Sequence, residues 1–137
     1  MATSSAADAL EHVPLLADVT QRDRQKLARM MRERTFPPGK EIVVEGRNGV
    51  GFFIITEGKA AVSIGDHVIS VLGPGDYFGE MALLHGGERS ATVTADSELR
   101  CLTITAWGFK SFVLEHPNVA WALLQTLAQR TRENAAR

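Results

Sequence analysis

Residues Phe78 to Val93 read FGEMALLHGGERSATV: a glycine, an acid, a short apolar run, a Gly-Gly loop, an arginine and the opening of a strand. A backbone turn after Gly79 frees the N–H groups of Met81 and Ala82, and the positive end of a short helix there favours an anion. Arg89 adds a planar, permanently charged fork that takes two phosphate oxygens at once, while Glu80 accepts hydrogen bonds from sugar hydroxyls. Within a dozen residues the chain assembles the parts that hold a small sugar phosphate. The same Glu and Arg, nine apart, also suit an ordinary surface ion pair worth about 0–1 kcal/mol.

On both sides of this stretch glycines set the rhythm. Gly39, Gly46, Gly49, Gly58, Gly65, Gly73 and Gly75 punctuate short apolar segments at Ile42 to Val44, Phe52 to Thr56, Ala60 to Ile64 and Val68 to Leu72. Ala91 to Thr94 and Leu99 to Thr103 follow the Gly86-Gly87 pair. Seven or eight short strands with tight turns predict a mainly β fold, a β-sandwich or jelly roll (double-stranded β-helix). Alternation at Val62 and Ile64, and at Leu102 and Ile104, predicts one inward face per strand.

Helices flank this β region. Thr20 caps a predicted N-terminal helix with Asp23 at the capping-box position, and Leu27, Met30 and Met31 follow at helical spacing. Pro37-Pro38-Gly39 ends that helix or a short strand after it. Trp107 to Leu114 forms one short C-terminal helix; His116-Pro117-Asn118 opens a second, with Val119, Leu123, Leu127 and Arg130 along one side. Residues 1–12, small and polar, are expected to be a flexible tail, and residues 13–137 a single domain.

At 137 residues the chain is long enough for one core without staples. Its single Cys101 lies in an alternating segment and reads as a small buried hydrophobe. The N-terminus has no signal-peptide pattern and no apolar run is long enough to span a bilayer, so a cytoplasmic protein without membrane contact is expected. A net charge of −1 argues against direct nucleic-acid binding. The local exception is Arg22, Arg24, Lys26, Arg29, Arg32 and Arg34 against Asp23 and Glu33, which suits a solvated helix face or a partner-docking face.

Two decoys fail on context. Gly73-Pro74-Gly75 with Gly79 is no dinucleotide fingerprint, because Pro74 stiffens the turn and no βαβ unit follows. A metal-dependent jelly-roll enzyme needs converging ligands, whereas His12, His67, His85 and His116 are scattered and expected at the surface. No catalytic residues and no metal are expected.

The stretch around Glu80 and Arg89 closely resembles the phosphate-binding cassette of the cyclic nucleotide-binding domain family. Leu15, Leu16 and Leu27, the run Phe36 to Lys40, Val44 to Gly46, Phe52 to Gly58 and Leu72 to Glu80 extend the similarity over about residues 13–137. The resemblance implies that Glu80 binds the ribose 2′-hydroxyl and Arg89 the exocyclic phosphate oxygens. It assigns the backbone of Gly79, Met81 and Ala82 to phosphate and ribose, and the Ser90 hydroxyl to the phosphate. It also implies that Val62 and Ile69 line the base pocket and that Asn134 belongs to a C-terminal lid at about residues 116–137. Glu88 stands where many members carry Pro, and Val50 where an acidic residue is common.

The expectation is a cyclic nucleotide sensor, for cAMP in preference to cGMP, relaying occupancy through its C-terminal helices. A fused or separate effector and a homodimer through the C-terminal helix are implied partners. The alternative keeps the fold without the ligand, as a docking module using the basic Gln21 to Arg34 segment or the Leu123 to Leu127 face.

Overall fold

The computed structural model of the chain describes residues 2–46, 51–79 and 91–135. Among them are two antiparallel four-stranded sheets. The first has the order β1 (Arg32–Phe36), β8 (Leu99–Thr105), β3 (Gly51–Glu57), β6 (Tyr77–Phe78). The second has β2 (Glu41–Val43), β7 (Thr92–Ala95), β4 (Ala60–Ile64), β5 (His67–Leu72). Among the described residues four α-helices flank them: α1 (Ala2–Glu11), α2 (Gln21–Met30), α3 (Ala106–Glu115) and α4 (Pro117–Ala135), with a 3₁₀ turn at Pro14–Leu16. This is the mainly β sandwich with flanking helices that the glycine-punctuated segments predict.

Strand β3 explains the layering. Phe52, Phe53, Ile54 and Ile55 are all buried, because successive side chains point to opposite faces and both faces are covered. Phe53 and Ile55 join Phe36, Val43, Ala60, Phe78, Val93, Leu99 and Cys101 in the core between the sheets. Phe52 and Ile54 face the other way, into a second core with Leu102, Ile104 and the apolar sides of the helices. In β8 the same alternation sends Leu99 and Cys101 to one core and Leu102 and Ile104 to the other.

Residues 1–12 depart from the expected flexible tail. Ala2–Glu11 is helical, and Ala7 and Leu10 are buried in the helical core beside Val13, Leu15 and Leu16. Small residues disguise the apolar stripe, and packing on α2 supplies the stability that a ten-residue helix lacks in isolation. The basic segment divides as well: Arg22, Arg24, Lys26 and Arg29 ride on α2, but Arg32 and Arg34 belong to β1, where Arg34 covers the Phe36 ring. Ile64, expected inward, is exposed, since it ends β4 at the Gly65 turn, beyond the last pairing of that strand with β7 at Ser63↔Thr92.

Candidate functional site

The strand that leads into the Glu80–Arg89 segment is held at several points. The Gly73 N–H donates to Asp76 Oδ2 at 2.8 Å, closing the turn before β6. Gly75 N–H donates to the Ile55 carbonyl and Ile55 N–H to the Asp76 carbonyl, both at 2.9 Å, tying that turn to β3. Gly75 has φ +90°, and a Cβ there would lie 3.3 Å from the His12 carbonyl oxygen, so the turn packs closely on the N-terminal segment. Strand β6 then pairs with β3 through Phe53↔Phe78 and Ile54↔Tyr77. Gly79 follows with φ +96°, a left-handed conformation that suits glycine and turns the chain out of the sheet.

The far side of the segment is equally anchored. Strand β7, which carries the chain onward from Ala91, lies between β2 and β4 with Val93 opposite Val62. The Thr92 hydroxyl accepts from Glu45 N–H at 3.0 Å, and Glu45 Oε1 accepts from Gly65 N–H at 2.9 Å. The described chain thus leaves the first sheet at its edge strand β6 and resumes in the interior strand β7 of the second.

Of the expected site residues, Gly79, Val62 and Ile69 are described. Val62 is half-buried and packs against the core between the sheets; Ile69 is half-buried on the neighbouring strand, at the irregular step of the β4–β5 ladder. Asn134 falls in the last turn of α4. Glu80, Met81, Ala82, Arg89 and Ser90 lie outside the described residues.

The helical layer meets β6 through a row of rings. Tyr77 packs on Phe52 with centroids 5.5 Å apart, and Phe52 stacks on Phe109 at 4.1 Å. Phe109 neighbours Phe112 at 6.5 Å, and Phe112 stacks on the His116 imidazole at 4.1 Å. Phe109 and Phe112 belong to α3, capped by Thr105, whose hydroxyl accepts from Gly108 N–H at 3.2 Å.

His116, expected at the surface, is mostly buried at the α3–α4 elbow. Its Nδ1 lies 2.8 Å from the Phe112 carbonyl oxygen and its Nε2 3.1 Å from Asp23 Oδ2 on α2. Beside it Lys26 Nζ pairs with Glu115 Oε2 at 3.3 Å, both side chains exposed. Burial works against the charged imidazole, but the Phe112 carbonyl, Asp23 and Glu115 outweigh it and hold its pKa above the ordinary histidine value. The hydrogen bond from His116 leads the effects that keep the Asp23 carboxyl below the ordinary carboxylate value. Thr20 caps α2 as expected, its hydroxyl accepting from Asp23 N–H at 3.2 Å, while the Asp23 carboxylate reaches His116. Sequence reasoning missed this joint, although the spacing of Phe109, Phe112 and His116 on one helical face was a usable signal.

Of the Leu123 to Leu127 face, one of two docking surfaces in the alternative reading, Leu123 is buried against the helical core. The exposed apolar side chains of the C-terminal helices are instead Trp107, Leu114, Trp121 and Leu124. Among the described residues no helix is long and apolar enough to cross a membrane.

The sequence profile of the family described as "Cyclic nucleotide-binding domain" matches residues 33–116, from β1 through the anchored segment to the elbow. The chain belongs to the cyclic nucleotide-binding domain family. It is 38% identical over 112 residues to a cAMP-dependent protein kinase regulatory subunit of Yarrowia lipolytica, covering 78% of this chain and 30% of that protein. Among solved structures it is similar to one described as cAMP-bound PfPKA-R, with TM-score 0.83 and 31% identity over 97% of this chain and 44% of the other. Catabolite activator protein of Thermus thermophilus gives TM-score 0.81 and 30% identity over 90% of this chain and 60% of that one. The chain thus spans less than a third of the kinase regulatory subunit it matches. The two-sheet sandwich with flanking helices is the architecture that these domains share.

Proposed function

We propose that this chain is a cyclic nucleotide sensor that binds cAMP through its Gly79–Ser90 cassette. The carrying observation is that the cassette sequence, with Glu80 and Arg89 in place, lies inside the family match and between two hydrogen-bonded anchors, the 73–76 turn and Thr92. A cAMP-bound neighbour of 31% identity supports the choice of nucleotide.

In this reading Arg89 neutralises the cyclic phosphate, with the Ser90 hydroxyl and the Met81 and Ala82 backbone N–H groups as further donors. Glu80 accepts from the ribose 2′-hydroxyl, Gly79 permits close backbone approach, Val62 and Ile69 bound the base, and Asn134 belongs to the lid. No bond is made or broken, so the output is a shift between helix arrangements. A ligand shifts such an equilibrium only by its difference in affinity for the two states, about 1.4 kcal/mol per factor of ten. The ring row from Tyr77 to His116 is the packed route by which movement at β6 reaches α3 and α4.

The functional unit is residues 13–137, with residues 116–137 as lid and α1 packed on α2. Exposed Trp107, Leu114, Trp121 and Leu124 offer the face for an effector, in the same chain or another, or for a second copy.

Thermal melting with cAMP and with cGMP tests the proposal. Ligand at a hundred times its dissociation constant adds about 2.7 kcal/mol, so cAMP should raise the midpoint by several degrees and cGMP by less. No shift with either nucleotide at millimolar concentration, together with no heat in calorimetric titration, would leave the ligand-free docking module.

A further inference from the structure

The His116 ring is bracketed by two acceptors, the Phe112 carbonyl at Nδ1 and the Asp23 carboxylate at Nε2. A neutral imidazole carries one N–H, so either tautomer would aim a nitrogen lone pair at one of these oxygens. Only the doubly protonated ring donates to both. The geometry points to a proton-gated latch, in which protonated His116 clamps the α3–α4 elbow to the first turn of α2 and loss of that proton releases α4.

The surrounding charges agree with this assignment. Facing His116 are Asp23 from α2 and Glu115 from α3, the latter paired with Lys26 of α2. The opening residues of α4, Pro117 to Val119, carry no titratable side chain, and neither does the Pro14–Leu16 turn against which α4 packs. The imidazolium sits at the C-terminal end of α3 and its carboxylate partner in the first turn of α2, the placements each helix dipole favours.

The direction of control follows. With its pKa raised on folding, His116 contributes fully below the ordinary histidine value, and that contribution is lost as pH rises through the raised value. Asp23, with its pKa lowered, contributes above the ordinary carboxylate value and loses that contribution as pH falls through the lowered one. The latch is closed between these limits and opens on the alkaline side. This device goes beyond cyclic nucleotide binding and does not require it.

The test uses the chain without nucleotide. Imidazole NMR should show His116 titrating above the ordinary histidine value, and the Asp23→Asn variant should titrate below wild type. Amide exchange along Val119 to Leu127, corrected for the intrinsic base-catalysed rate, should lose protection severalfold across the wild-type midpoint while β3 amides stay constant. In a His116→Gln variant that step should vanish. A wild-type His116 midpoint at or below the ordinary histidine value, or α4 protection that is flat across it, overturns the latch without reference to any variant's folding or to the ligand.

Discussion

Phe52 on β3 and Phe109 on α3 lie face to face, ring centroids 4.1 Å apart and planes within 9° of each other. Both are completely buried, so this stack is where the C-terminal helices grip the first sheet. Its position between Tyr77 and Phe112 makes it the middle of the only ring row described between β6 and the elbow.

Phe109→Ala should cost about 3–5 kcal/mol through lost burial and the cavity left behind. Phe109→Leu, which keeps much of the volume, should cost distinctly less. Urea unfolding reads both as changes in midpoint at constant slope. An alanine variant within about 1 kcal/mol of wild type would contradict the packing described.

Gly58 and Gly65 both have positive φ, +90° and +59°, but only Gly58 is hemmed in. A Cβ at Gly58 would lie 2.1 Å from the Glu98 carbonyl oxygen, whereas nothing lies within 4 Å of one at Gly65. Gly65→Ala should therefore cost about 1–2 kcal/mol for the left-handed backbone alone. Gly58→Ala must add the displacement of the 97–99 backbone, and its melting temperature should fall clearly further. Equal losses would refute the clash.

Arg89→Ala should weaken cAMP binding by at least about thirtyfold, since a charge-assisted pair to phosphate carries about 2 kcal/mol or more. The melting temperature of the ligand-free protein should change little. Wild-type affinity in the calorimeter would remove Arg89 from the site.

Cys101 should resist alkylation in the native state. It is fully buried between the sheets, and that burial pushes its thiol up to about 12. At pH 8 only about one thiol in ten thousand is then ionised, and the thiolate is the reactive form. Iodoacetamide should label it only at the rate of unfolding, and prompt labelling in buffer would show that the core opens locally.

The strands were legible because their signals are local. Glycines mark the turns and apolar alternation marks the faces, so Ala60 to Ile64 and the start of β8 at Leu99 appear in the structure where the sequence places them. Less visible was whatever tertiary contact decides. Helix α1 is stabilised by its neighbours rather than by its own composition, and the two-residue β6 is too short to show any period. Ile64 was misassigned because alternation does not show where a strand outruns its neighbour, and the pairing of β4 with β7 stops at Ser63. The cassette came from a motif of residue types, of which the structure describes only Gly79, with its positive φ. His116 was overlooked because its partner Asp23 lies 93 positions earlier on a separate helix; the spacing with Phe109 and Phe112 marks the face the ring lies on but not that partner.

Strand β3 acts as a party wall between the two apolar compartments. A volume change at Phe53 or Ile55 pushes on the same backbone that carries Phe52 and Ile54, so neither compartment can be rebuilt independently of the other. Engineers wishing to retune the helical side are best advised to hold these four positions fixed and to work from the opposite wall, at Leu123 and Val119.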